Sequence, residues 1–383
     1  MNKLYNTQKE IASEISKSLL QSIPDIRKTQ LKIIPFIIIG MLLAESVVAS
    51  DIANKLKDDF SEVQHESVVR RISRFFTNKL FNPYNFYDKI ICHVIANYKK
   101  KHNDKRVHII FDHMFSHDNY VVFMITMRIG KQGIPLWFRC FKDKKSDAFQ
   151  ETLIMEGISY VCKLFGTDYE LIFLADRWFN SVNLMKHISF LKATFNLRLK
   201  KNIKVLIFDK KEGRRIWKFL SEVKHYEWHS SRYEVLLSED KFEANTVLSK
   251  KNGTKDPWII VTNGDPKRAI KDYGYRFGAI EFVFKNQKSN GFNLECTCNA
   301  SEKYFITMYT MACFSVLFMT IIGADYSKNT RVYKNVKIKT HKTDKGKKIR
   351  IMSLFNTCLT LFNRAFNSSR YIRIPYKFIL YDI

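Results

Sequence analysis

Asp112 follows the apolar run VHIIF (107–111), and Asp176 follows YELIFLA (169–175). In α/β proteins, functional groups collect where strands end. A third acid, Glu281, lies in the stretch KDYGYRFGAIEFVFKNQKSNGFNLE (271–295), which also carries Tyr273, Arg276 and Lys288. Two aspartates on neighbouring strand ends with a glutamate on a packed helix would make an all-oxygen site. Such a site suits Mg²⁺, with Mn²⁺ as a substitute, better than zinc. Two such ions about 3.5–4 Å apart can activate a water or a 3′-hydroxyl and stabilise the leaving oxygen of an in-line phosphoryl displacement.

The stretch around Glu281 is read as one amphipathic helix. Phe277, Ile280 and Phe284 recur at helical spacing, and Gly291 makes a stop. On that helix Glu281, Phe284 and Lys288 share a face, with Glu281 and Lys288 about 10 Å apart along the axis at about 1.5 Å per residue. That span suits a nucleic-acid backbone. The plain alternative is a surface helix with charges placed as its dipole prefers.

The elements that must position these groups change character along the chain. Residues 1–103 read as helical, with helix-like spacing at 42–56 and 66–76. Arg70, Arg71 and Arg74 cluster on one side of the second of these, beside aromatic residues, as phosphate contact requires. A meander of three strands follows, at 107–111, 120–129 and 134–138, with a turn at 130–133. A helix (147–164), the strand before Asp176, a second helix (179–191) and a short strand (193–199) continue an α/β rhythm. Residues 202–256 break it with short strands and polar turns, which predicts an inserted β subdomain. WIIVT (258–262) returns to a buried strand. The uncharged run 304–324 is as long as a membrane span but rich in Thr, Ser, Tyr, Met and Cys, and is read as a buried core helix. Residues 328–350 are strongly basic, and 352–366 read as a last amphipathic helix.

Composition agrees with a polyanionic partner. The 383 residues carry 64 Lys and Arg against 37 Asp and Glu, a formal charge of +27. The seven cysteines form an odd, unpatterned set with no signal-peptide pattern, which predicts reduced thiols in a cytosol. Cys296 and Cys298 form a CxC with no second pair nearby. His113 and His117 have the i, i+4 spacing of a zinc pair, but follow a strand and lack the glutamate after the first histidine. They are read as orienting backbone or contacting DNA. Trp178 is read as core packing in preference to stacking on a base.

Taken together, YGYRFGAIEFVFKNQKSNGFNLE (273–295) resembles the Y-R-E-K signature of insertion-sequence transposases of the DDE superfamily, in the branch called insertion-sequence family four. LIFLADRWFNSVNLMKHI is similar to that family's second-aspartate segment, and VHIIFDHM to its first. The likeness spans roughly residues 30–325. It implies an α/β fold: a ribonuclease-H-like mixed-sheet catalytic core with an inserted β subdomain and a helical N-terminal domain. The implied boundaries are 1–103 (helical, DNA-binding), 104–201 (core, first part), 202–256 (β insertion), 257–325 (core, second part, with the catalytic helix) and 326–383 (basic segment and helix). It also implies a catalytic and metal-binding triad of Asp112, Asp176 and Glu281. Tyr273, Arg276, Lys288 and Arg177 would contact phosphate. The implied activity is cut-and-paste DNA transposition, by hydrolysis at element ends and 3′-hydroxyl strand transfer. The implied setting is a homodimer on double-stranded DNA at the nucleoid of a bacterial cytoplasm, with no membrane. Glu281 to Lys288 keeps the family's six intervening residues. Arg276 to Glu281 has four where three are usual, an offset of about 100° on a continuous helix. That irregularity leaves a catalytically inactive DNA-binding relic as the alternative.

Overall fold

The fold is taken from a computed structural model. It describes residues 7–56, 63–116, 120–142, 146–223, 230–239, 241–250, 257–288, 291–296, 301–328, 340–342, 348–350 and 354–367. The chain divides into two units. One comprises residues 1–103, 115–121 and 281–383, and the other 104–114 and 122–280. Residues 281–325, read as part of the sheet core, instead group with the N-terminal helices.

The first unit is mainly helical. It contains α1 (Gln8–Ser22), α2 (Lys28–Ala44), α3 (Ala49–Lys55), α4 (His65–Phe76) and α5 (Pro83–Lys101). The helix read at 42–56 is interrupted: α2 stops at Glu45, which adopts a left-handed conformation at φ 50°. α1 and α5 start on the side-chain caps Thr7 and Asn82, whose oxygens accept from Glu10 N–H and Asn85 N–H.

In the second unit the strands are β1 (Arg106–Phe115), β2 (Tyr120–Ile129), β3 (Gln132–Lys142), β4 (Glu170–Ala175), β5 (Thr194–Arg198), β6 (Lys204–Asp209), β7 (Arg214–Phe219), β8 (Ser231–Leu237), β9 (Phe242–Ser249) and β10 (Trp258–Thr262). Its helices are α6 (Asp147–Phe165), α7 (Val182–Phe190) and α8 (Pro266–Gly274). α9 (Ile280–Gln287) lies at the boundary. α10 (Glu302–Lys328), β11 (Thr340–Lys342), β12 (Lys348–Arg350) and α11 (Leu354–Asn367) belong to the first unit. Of the basic segment 328–350, only Lys328 and the short antiparallel pair β11–β12 are among the described residues.

α10 buries its apolar length inside the protein: 94% of its most hydrophobic window is covered. It packs with α2, α4, α5 and α11. Its hydroxyls are satisfied locally, with Thr307, Thr310 and Thr320 each donating to the carbonyl four residues earlier. Tyr309 donates to Gln287 Oε1 at 2.7 Å. These bonds satisfy three threonine hydroxyls and one tyrosine hydroxyl within the buried length of the helix.

The ten strands form one mixed sheet in the order β3-β2-β1-β4-β5-β10-β9-β8-β6-β7. β2 and β3 join through the two-residue turn Gly130–Lys131, with Gly130 at φ 58°, so they run antiparallel. β1, β4 and β5 run parallel. The residues read as an insertion do not form a separate body. β9 pairs with β10, so β6–β9 extend the central sheet. The sequence reading missed β7, whose charged and aromatic face is largely exposed.

Alternation along β1 sends Phe111 and His113 to one face and His108, Ile110 and Asp112 to the other. On the first face Phe111 and His113 meet Phe123, and Phe123 meets Trp137. Trp137 supports α6 at Gly157, where an added Cβ would lie 2.7 Å from the indole and 2.8 Å from Ile125 Cδ1. Gly157→Ala should therefore destabilise by about 1–3 kcal/mol through overpacking. A chemical-denaturation midpoint equal to wild type would show that α6 does not lie so close.

Candidate active site

The pairing of β1 with β4 keeps a constant offset, from Arg106 opposite Glu170 to Ile110 opposite Leu174. Two residues further, the same offset sets Asp112 opposite Asp176. The two aspartates therefore stand side by side, Asp112 within β1 and Asp176 just past the end of β4, and both reach Arg276. The sequence reading put both at strand ends, but β1 runs on to Phe115. The meander lengthens β1 because β2 continues to pair beside it.

α8 packs on β4, β5, β9 and β10 and places three side chains. Asp265 caps it, accepting from Lys267 N–H, and Pro266 occupies its first turn. Asp272 is buried and accepts from Arg106 at 2.7 Å and His108 at 3.2 Å, both on β1. Tyr273 is fully buried against Val247, Ile260 and Ala269, with Trp258 edge-on at 5.3 Å. Its hydroxyl has no hydrogen-bond partner among the described residues, and burial pushes its pKa up to about 12. Tyr273 is thus a core residue here, not an exposed phosphate ligand.

Arg276 lies just past the end of α8. Its side chain is 7% exposed, and one Nη donates to Asp112 Oδ2 at 2.6 Å and lies 3.7 Å from Asp176 Oδ2. The two carboxylates, 25% and 36% exposed, thus converge on one cation. Asp112 Oδ1 also accepts from its neighbour's backbone at 2.9 Å, and Asp176 Oδ1 accepts from Arg177 N–H. Burial holds the Asp112 carboxyl above its ordinary value, and Arg276 opposes that shift. The two carboxylates present oxygen donors only, the class that hard divalent cations take, and the cation they face is Arg276. Among the described residues, no group of three or more His, Cys, Asp or Glu side chains is placed to hold a metal.

The single helix read around Glu281 is broken. α8 ends at Gly274, residues 275–279 form turns with Gly278 at φ 83°, and α9 begins at Ile280. The extra residue between Arg276 and Glu281 therefore falls in the turn, and no helical phase passes through it. Phe277, read as a helix-face residue, is 41% exposed and stacks on Trp258 at 5.3 Å. Glu281 is an exposed residue of α9, in the first unit. Lys288 follows α9 and pairs with Glu295 at 3.2 Å.

His113 is not a metal ligand in this arrangement. Its ring stacks on Phe179 at 5.0 Å and meets Phe123 and Phe141, and burial lowers its pKa to about 4. His117 and Cys298 lie outside the described residues. Arg177 is exposed. Trp178, read as core packing, is 64% exposed.

In the first unit, Arg71 and Arg74 of α4 line a groove of about 760 Å³ with Lys9 and Lys32, over the rings of Phe36 and Phe75. Sequence reasoning missed Lys9 and Lys32, since they come from two other helices. Arg70 pairs with Glu66 at 3.6 Å.

No family model and no curated protein matches the sequence. Among solved structures, the Argonaute of Marinitoga piezophila, in complex with a 5′-hydroxyl guide RNA, is similar at 10% identity and a TM-score of 0.25. The likeness covers 55% of this chain and 32% of that one, so the chain spans about a third of that protein's length.

Proposed function

We propose that the protein is a DNA transposase that cuts and rejoins phosphodiesters at a site built on Asp112 and Asp176. The observation that carries this reading is the convergence of these two strand-borne carboxylates on one cationic nitrogen. The strand order β3-β2-β1-β4-β5, with β1, β4 and β5 parallel, supports a ribonuclease-H-like core. The net charge of +27 supports a nucleic-acid partner.

Asp112 and Asp176 would hold Mg²⁺ or Mn²⁺; a third ligand role for Glu281 is implied by the motif resemblance alone. Bound there, the metal would supply charge stabilisation and a water of lowered pKa. Arg276 opposes the effect of burial on Asp112, and its guanidinium is a planar fork of donors that suits a phosphate. Arg177, exposed beside Asp176, adds positive charge for the strand. The working form would be a homodimer on double-stranded element ends, in a bacterial cytoplasm.

Duplexes carrying the inverted repeats that flank the gene test this reading. In Mg²⁺, nicking at the repeat boundary that leaves a 3′-hydroxyl is expected, with none in EDTA. Salt-sensitive binding with no cleavage in either Mg²⁺ or Mn²⁺ overturns it. One observation favours a second reading, an inactive DNA-binding relic: a guanidinium already stands between the two aspartates.

DNA contact is assigned to the groove of α4. Arg71→Ala with Arg74→Ala should weaken duplex binding and reduce the slope of log K against log salt by about 2, at roughly 0.9 per lost phosphate contact. An unchanged slope in fluorescence anisotropy would remove this groove from the interface.

A further inference from the structure

Two hollows flank the loop that follows Asp176, and neither was assigned above. The first, of about 460 Å³, is lined by Arg177, Arg198, Lys200 and Lys201 with Asn202, Pro257, Leu199 and Ile259, and no acid lines it. The second, of about 480 Å³, is lined by Trp178, Gln150, Asn180, Asp147 and Glu151 among others, and Lys200 lines both. Their chemistry is opposite. Four cations in one hollow attract phosphates, whereas two carboxylates in the other repel them. The second hollow instead offers an aromatic face, two amides and two carboxylates, which suit the stacking and hydrogen-bonding edge of a base. Trp178, at 64% exposed, presents its ring openly at this position. Ser181 donates to Glu151, which ties this carboxylate, part of the second hollow's lining, to the start of α7.

We propose that the two hollows form one track for single-stranded DNA beside Asp176. Backbone phosphates lie in the basic hollow, and an unpaired base stacks on Trp178. A duplex can reach the basic hollow with its phosphates but not the second hollow, because its bases face one another and are not free to enter it. The ligand class rests on the transposase reading, and the track would present an unpaired strand to the carboxylate pair. Lys200, shared by both hollows, sits where the strand passes from phosphate to base.

The test uses the full chain in EDTA, so binding is read without cleavage. A 5′-labelled dT12 and a 12-base-pair duplex are titrated and followed by anisotropy. Base–aromatic stacking is sequence-tolerant and large, so Trp178→Ala should weaken dT12 about 5- to 100-fold, while Trp178→Phe loses less. The duplex should change less than twofold. Lys200→Ala should lower the salt slope for dT12 by about 0.7. Melting temperatures equal to wild type show that the variants fold, as expected for exposed side chains. A dT12 affinity within twofold of wild type in Trp178→Ala, or an equal loss on dT12 and duplex, overturns the track. If the track holds while the repeat-bearing duplexes are never cut, only the catalytic reading fails. If they are cut while Trp178→Ala binds dT12 normally, only the track fails.

Discussion

Replacing Asp112 with asparagine should leave duplex binding within about twofold and lower cleavage by roughly 1,000-fold or more. The side chain keeps its size and can still accept the 2.9 Å bond from the His113 backbone. What it loses is the charge that balances a cation. A metal's stabilisation of transition-state charge is worth several kcal/mol, and each 1.36 kcal/mol is tenfold in rate. Asp176→Asn should behave alike, because the register of β1 and β4 makes the two positions equivalent partners. Glu281→Gln is the more discriminating variant. Glu281 is exposed and in the other unit, so its assignment rests on its place in the motif. If single-turnover cleavage is unchanged in Glu281→Gln but lost in the two aspartate variants, the third acid lies elsewhere and the pair remains. Unchanged cleavage in either aspartate variant removes the site.

Arg276→Met should be the most destabilising change near the site. It leaves two carboxylates facing each other, one of them largely buried. Breaking a buried pair costs about 3–5 kcal/mol, and the partial exposure of Asp112 reduces this to about 2 kcal/mol. The loss should depend on pH. Asp112 already has a folded pKa above its ordinary 3.8, because burial outweighs Arg276. An acid with a raised folded pKa favours the folded state below its unfolded pKa, and that contribution is lost as pH rises through the folded value. Removing Arg276 takes away an influence that lowers this pKa, so the folded value rises further. As pH rises from about 3.8 through the raised folded value, the variant should therefore lose more stability than wild type. Urea midpoints across that range test it, and a deficit that is the same at every pH would contradict the pairing of Arg276 with Asp112.

Local signals carried the pair of aspartates. A β-branched and aromatic run ending in an acid is legible when the strand is buried on both faces, as β4 is. The turn at Gly130 was legible because its backbone needs positive φ. The break between α8 and α9 was not read, although Gly274 and Gly278 marked it. Phe277, Ile280 and Phe284 keep helical spacing across the turn, but Phe277 reaches Trp258 from the turn itself. Periodicity alone cannot distinguish one helix from two separated by a short turn. Trp178 was misread for a related reason. A tryptophan is most often covered, and only the fold shows that the loop after β4 leaves it bare. The joining of β6–β9 to the central sheet was not read either, since the polar residues between β9 and β10 gave no sign that these two strands pair. The basic groove over Phe36 and Phe75 draws on three helices, so no single stretch announces it.

Manganese binding tests the central claim most directly, because it reads the carboxylate pair without requiring turnover. The full chain, with a repeat-bearing duplex bound, would be titrated with Mn²⁺ and free ion followed by electron paramagnetic resonance. The expected result is protein-dependent binding that is lost in both Asp112→Asn and Asp176→Asn, while the duplex stays bound. Mn²⁺ bound equally well by wild type and both variants, or by none of them, would contradict a metal site on these two aspartates.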